Sequence, residues 1–293
     1  MILAELEELT EDEAQELVSI VPSLEKALRT VKPQPYKLPN NLEIVHFSKA
    51  ETDYFYKDIF EYQVYIKHGI TLNDGDCIFD VGSHIGLFTL FVNQQCKNAK
   101  IYAFEPALPL FEILRLNTER HEVNANLFNY GLSHESKAAI LTFYPNSSGM
   151  SSFYPDREEE KTVLKAIMLN QVQNDLKSRE NLIQYSDELL EERFTSQSLT
   201  CQLRTLSDVL GEQNVERIDL LKIDAYKSEL DVIKGINNED WNKIKQVVIE
   251  VGDQDGRLQQ IAGLLKKQGY EVAVEKENLY EDSAIHYVYA LRK

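Results

Sequence analysis

The chain has 293 residues, 43% of them hydrophobic, enough for one large domain or a domain with an appendage. Its formal charge is −17, which argues against nucleic acid, whose phosphates are held by Lys and Arg, and against an anionic membrane surface. The cysteines Cys77, Cys96 and Cys201 are scattered with no CxxC pair, so a reduced, cytoplasmic compartment is expected and no metal site is.

Residues 2–30 carry Leu3, Leu6, Leu9, Leu17, Val18, Ile20, Leu24 and Leu28 at roughly helical spacing, and predict an amphipathic helix. Residues 1–16 hold seven acids and no base, read as a solvated face. No signal peptide begins the chain and no apolar run of about 18 residues interrupts it, so neither export nor a membrane span is expected. Pro33, Pro35 and Pro39 read as an extended linker, followed by a short strand at Leu42–Phe47. This gives an N-terminal extension over 1–50 and a main domain over 51–293. The segment from Glu51 to Tyr65 predicts a helix rich in Tyr and Phe; Phe55 and Phe60 suit a core, Tyr56 and Tyr65 a lid over a ligand.

The next segment carries the most information. Cys77-Ile-Phe-Asp-Val-Gly-Ser-His-Ile-Gly86 reads as a buried strand, a tight turn and the start of a helix. Gly82 lets the chain turn, and Gly86 lets a ligand or the helix come close. A second strand, Lys100–Phe104, ends in Glu105-Pro106, an acid placed to accept hydrogen bonds from ribose hydroxyls. One pair of glycines, rather than the three-glycine fingerprint that packs on a pyrophosphate, suits an adenosyl cofactor without phosphates, and S-adenosylmethionine is the obvious one.

From Asp76 strands and helices alternate. Strands are expected at 77–81, 100–104, 126–131, 138–144, 218–224, 246–251, 271–275 and 285–291, and helices at 86–95, 109–120, 228–236 and 257–268. The fold class expected is α/β: a mixed, mostly parallel, doubly wound sheet whose last two strands form a hairpin, with an N-terminal helical extension and a helical insertion. That insertion, 155–198, holds ten acids and six bases and no glycine. Helices are expected near Glu158–Leu169 and at 181–193, as a lid that carries substrate contacts. There is no internal repeat.

The candidate cofactor residues are Tyr56, Asp80, Gly82, Ser83, His84, Gly86, Glu105, Pro106, Asn129, Gly131, Ser151 and Asp224. His84 either bonds the cofactor or caps the helix. Asn129 and Gly131 line an adenine edge or form a plain turn. Ser151 and Ser152 contact the cofactor's amino-acid end or form a loop. Asp224 and Glu250 end strands in one cleft; with Tyr226 they are the candidate catalytic residues, though Asp224 can instead cap the following helix.

Together FDVGSHIG, YAFEPALPLFEILRLN, RTLSDVL, IDLLKID with SELDVIKGI, and VVIEV resemble the FkbM family of methyltransferases from about Glu51 to Arg292. The chain is similar to the O-methyltransferase domains of polyketide and nonribosomal peptide synthetases, and to the methyltransferase half of cyanobactin prenyl- and methyl-transferases. The resemblance implies a class I, Rossmann-like fold and methyl transfer from S-adenosylmethionine in natural product biosynthesis. The family usually has Asn at His84, Glu at Tyr226 and His at Gly252. In the synthetase domains that His and Glu look like the base pair that deprotonates an alcohol. A carboxylate, ionised at neutral pH, needs no such base. The loss of both therefore points to a carboxylate acceptor, such as a peptide C-terminus, and a methyl ester. An amine, an alcohol served by His84 or Tyr226, and a degenerate docking module stay open. The expected acceptor is a small molecule or peptide. The chain ends right after its last strand, as a domain fused to or working with a prenyltransferase or synthetase module would.

Overall fold

The computed structural model describes residues 33–172, 190–253, 255–277, 280 and 283–292. The helix expected at 2–30, and most of the one expected at 181–193, lie outside the described residues.

A seven-stranded sheet forms the centre, in the order β11-β12-β10-β9-β3-β4-β5. Its strands are β3 (Cys77–Val81), β4 (Lys100–Phe104), β5 (Ala125–Phe128), β9 (Leu220–Ile223), β10 (Gln246–Gly252), β11 (Tyr270–Glu275) and β12 (Ile285–Arg292). The run β5-β4-β3-β9-β10 is parallel, and β12 turns antiparallel against both β10 and β11. The central strands are near-continuous apolar runs because both faces are covered. Ile78, Ile101, Leu220 and Val248 face one side, with Leu90 of α2 (Leu87–Gln95) and Ile113 of α3 (Leu108–Arg120) in the same core. Phe79, Tyr102, Leu221 and Val247 face the other, with Val209, Val232 and Ile261 from α5 (Leu206–Glu212), α6 (Glu229–Lys234) and α7 (Arg257–Lys267). The chain winds outward from β3 to β4 on one side and from β9 to β10 on the other. The switch point therefore lies at the carboxyl ends of β3 and β9, where open α/β sheets bind ligands.

Several segments depart from the expected alternation, among them α5, a helix where none was expected. The stretch expected as one strand at 126–131 splits into β5 and the short β6 (Gly131–Leu132). β6 leaves the main sheet for a three-stranded one, β6-β8-β7, with β7 (Lys137–Phe143) and β8 (Gln197–Arg204). β8 takes the end of the insertion, although Leu199, Cys201 and Leu203 alternate with polar residues at strand period. The proline-rich linker is also paired: β1 (Gln34–Lys37), which contains Pro35, forms a two-stranded antiparallel ribbon with β2 (Glu43–His46). Asn117 of α3 ties this ribbon to the site, bonding Val45 N and O and the Ile85 carbonyl.

The Tyr-rich segment starts as α1 (Lys49–Tyr56), capped by the Ser48 side chain, and then widens into a π-helical turn over Lys57–Glu61. The insertion enters through α4 (Arg157–Gln171), capped by Asp156. No helix among the described residues is long and apolar enough to cross a membrane.

Candidate active site

The turn after β3 is shaped by what crowds it. Gly82 sits at φ +75°, and a Cβ there would lie 1.8 Å from the Asp224 carbonyl oxygen, so only glycine fits. Its amide and that of Ser83 both donate to the Phe104 carbonyl at 3.0 Å, binding the turn to β4. Gly86, at φ +90°, faces Leu114 of α3. The close neighbour there is a helix. His84 takes φ +52°, a left-handed conformation in which Asn and His are over-represented.

At the end of β4, Glu105 accepts the His84 amide on one carboxylate oxygen and the Ala107 amide on the other, both at 2.9 Å. Burial pushes this carboxyl up to about 7, and the two amides only partly offset it. Each oxygen keeps a free lone pair for a further donor.

A cavity enclosing about 1010 Å³ of open space lies over these strand ends. Gly82, Ser83, His84, Glu105, Pro106 and Gly131 line it on one side, and Ser151, Asp224, Tyr226 and Glu250 on the other. Four expected cofactor residues do not reach it. Asp80 is fully buried, ion-paired to Lys222 at 3.0 Å and accepting from the Thr89 hydroxyl at 2.7 Å. Asn129 is exposed and turns back onto the Glu105 and Pro106 carbonyls. Gly86 packs on α3, and Tyr56 is buried and stacked on Phe60. These residues build the walls rather than the surface.

The reactive end is acidic and rich in phenols. Asp224 accepts from the Tyr65 hydroxyl at 2.7 Å, and Glu250 from the Tyr287 hydroxyl at 2.7 Å. Behind them Asp58, in the π-helical turn, accepts from the Tyr280 hydroxyl at 2.8 Å, which in turn takes a hydrogen bond from Tyr54. Burial, with Asp224 adding to it, holds Glu250 well above the usual carboxylate range. Burial likewise brings Asp58 up to about 7. Lys222 lies beneath the floor, 2% exposed, donating to the Gly82 carbonyl at 2.8 Å. Burial disfavours its charge, but Asp80 and Asp224 outweigh burial and its pKa rises. A lysine in the middle of a buried strand was not foreseen from the sequence; apolar neighbours on both sides masked it.

Two further features were missed because their partners are far apart in sequence. His84 Nε2 meets the Ser148 hydroxyl at 2.7 Å, and Ser148 donates its single proton to Glu51 at 2.6 Å. His84 must then donate through Nε2, which leaves Nδ1 as the bare nitrogen; burial lowers its pKa, consistent with a neutral ring. The second feature is another cavity, of about 780 Å³, reached past Phe55, Gly149, Tyr226 and Glu250, which line both spaces. Leu164, Ile167, Met168 and Gln171 of α4 also line it. The Tyr226 hydroxyl is buried at this boundary and has no hydrogen-bond partner among the described residues. Ser152 holds the Tyr226 backbone, donating to its carbonyl at 3.1 Å.

The Methyltransferase FkbM domain matches residues 80–272 of the chain. The chain belongs to the FkbM methyltransferase family. It is 36% identical over 87% of its length to the 31-O-demethyl-FK506 methyltransferase FkbM of Streptomyces tacrolimicus, covering 96% of that protein. It is 34% identical over 87% of its length to part of the AMB antimetabolite synthetase AmbE of Pseudomonas aeruginosa, covering 12% of that protein. Among solved structures, an S-adenosylmethionine-dependent O-methyltransferase of Thermotoga maritima aligns over 88% of this chain and 77% of its own, at 7% identity and a TM-score of 0.43.

As an FkbM methyltransferase of secondary metabolism, the chain uses S-adenosylmethionine as cofactor. The first cavity fits that molecule. Phe104, Leu132 and Leu141 offer an apolar slot for a base, and Glu105 stands ready for ribose hydroxyls. Asp224 and Glu250 suit a positive sulfonium or ammonium group, since Lys222, the lysine on the lining of this cavity, is already committed to Asp80. Bound there, the cofactor supplies an electrophilic methyl group. Among the described residues no cluster of His, Cys, Asp and Glu would hold a metal ion.

Proposed function

We propose that this chain methylates a hydroxyl oxygen of a secondary metabolite, with Glu250 as general base. The position of Glu250 carries the proposal. Its carboxylate lies on the boundary between the cofactor cavity and the second cavity, held by Tyr287, with its affinity for a proton raised by burial. A hydroxyl must lose its proton as it attacks, and a carboxylate whose proton affinity burial has raised is a stronger base than a free one. Loss of the family's His and Glu at Gly252 and Tyr226 therefore leaves an acid able to take the proton. Similarity to a protein named for a 31-O-demethyl substrate supports an oxygen acceptor.

A carboxylate acceptor, giving a methyl ester at a peptide C-terminus, is the second reading. The unpartnered Tyr226 hydroxyl favours it, because a phenol can donate to a carboxylate where a glutamate would repel one. Against it, a carboxylate would enter beside two acidic side chains, Asp224 and Glu250. Similarity to part of a synthetase supports work alongside a synthetase module in either case.

The test is transfer from methyl-labelled S-adenosylmethionine to matched panels of alcohols and acids, with wild type and Glu250→Gln. The hydroxyl reading expects base-stable label on alcohols and a drop in kcat of about a hundred- to ten-thousandfold in the variant. Base-labile label on acids, undiminished by E250Q, would establish the ester reading instead.

A further inference from the structure

The second cavity carries three charged side chains on its lining, the carboxylates Glu51 and Glu250 and one cation, Arg193. Its walls are apolar: Tyr54 and Phe55 from α1, Met150 from the turn below, and Leu164, Ile167 and Met168 from α4. Glu250 and Tyr226 stand where it meets the cofactor cavity. Arg193 also lines it, reaching in from the chain that leads to β8. Among the described residues the guanidinium makes one long hydrogen bond, 3.5 Å to the Asn146 carbonyl, and no ion pair. Two described acids of this region are engaged elsewhere. Glu51 accepts from Ser148 and from the Gly149 amide, and Glu191 pairs with Arg157 and Lys161. An arginine with no carboxylate partner among the described residues is notable in a chain of net charge −17.

We propose that Arg193 is a specificity-determining residue that binds an anionic group on the acceptor, a carboxylate above all, within the second cavity. The acceptor is then a hydroxy acid: its hydroxyl meets Glu250, its apolar body lies against α4, and its anion pairs with Arg193. A guanidinium presents two parallel N–H donors that match a carboxylate, which gives orientation as well as affinity. The met-rich wall adapts to an irregular body, because thioether side chains repack at little cost. This inference rests on the hydroxyl-methylation reading for the placement of the reacting end, and is tested apart from it by binding.

Calorimetric titration with ω-hydroxydecanoate and its primary amide, in the presence of S-adenosylhomocysteine, reads the anion directly. In wild type the acid should bind about tenfold or more tightly than the amide, the scale of one charge-assisted hydrogen bond or better. Overall protein charge would bias the comparison the opposite way. In Arg193→Met the ratio should fall to about one, and in Arg193→Lys, which keeps the charge and loses the fork, to an intermediate value. Retained S-adenosylhomocysteine binding shows that the variants are folded. Equal binding of acid and amide, a preference that survives R193M, or no binding of the acid overturns the assignment. Acid-selective binding with no methyl transfer to the probe's hydroxyl would support Arg193 while sinking the hydroxyl reading.

Discussion

Tyr226 and Glu250 meet on one wall and make opposite demands. A buried hydroxyl with no partner destabilises the protein until something accepts its proton, at about 1–3 kcal/mol. Tyr226→Phe should therefore leave the cofactor-free protein equally or more resistant to urea. Its kcat/KM for the acceptor should fall about two- to tenfold, the worth of one neutral hydrogen bond. Unchanged kcat/KM would show that the phenol meets no acceptor oxygen. Burial pushes this phenol far above its ordinary range, so it serves as a donor and not as a base. Gly82 and Glu105 were legible in the sequence because a glycine spacing and an acid at a strand tip are local signals. Asp80 misled for the same reason: its position beside the turn is local, but its partner Lys222 is not. The Tyr65–Asp224 bond spans 159 positions and the Tyr287–Glu250 bond spans 37, beyond any pattern within a single segment.

Among the elements, α1 has the largest influence on the site for its size. Glu51 on its first turn binds the Ser148 hydroxyl and the Gly149 amide, and Phe55 on its second faces both cavities. The widened turn that follows then carries Asp58 into the phenol cluster. Glu51→Ala would leave that hydroxyl and amide without an acceptor, weakening the join by about 1–3 kcal/mol. Hydrogen exchange at residues 148–150 should speed up, and KM should rise more than kcat falls. Exchange at the wild-type rate would mean that α1 does not hold the turn. The sequence predicted a helix here but not the π-helical turn, which needs an extra residue per turn and leaves the apolar spacing intact. The parallel strands were legible as apolar runs. β8 was not, because it begins where an insertion rich in charge was expected to end.

For the whole molecule, the buried acids set the pH response. Burial raises Glu105 and Asp58 to about 7 and Glu229 to about 8, against ordinary values of 4.5 for the two glutamates and 3.8 for the aspartate. Between those values the folded state binds more protons than the unfolded chain, so stability falls as pH rises through that window. Each such group can contribute up to about 1.4 kcal/mol per pH unit. Urea unfolding of the cofactor-free protein should give a higher midpoint at pH 5.5 than at pH 8, and Glu229→Gln should flatten the trend. A midpoint that rises with pH would show these carboxyls to be ionised in the native state. The domain's two halves also differ in what they depend on. The first cavity is built on the ends of central strands, whereas the second takes α4 and Arg193 from a segment whose described residues add no strand to the central sheet. Lineages can thus retailor that segment while the methyl donor's berth stays constant. Grafting 155–196 between relatives is the natural route to chimeras with exchanged acceptors.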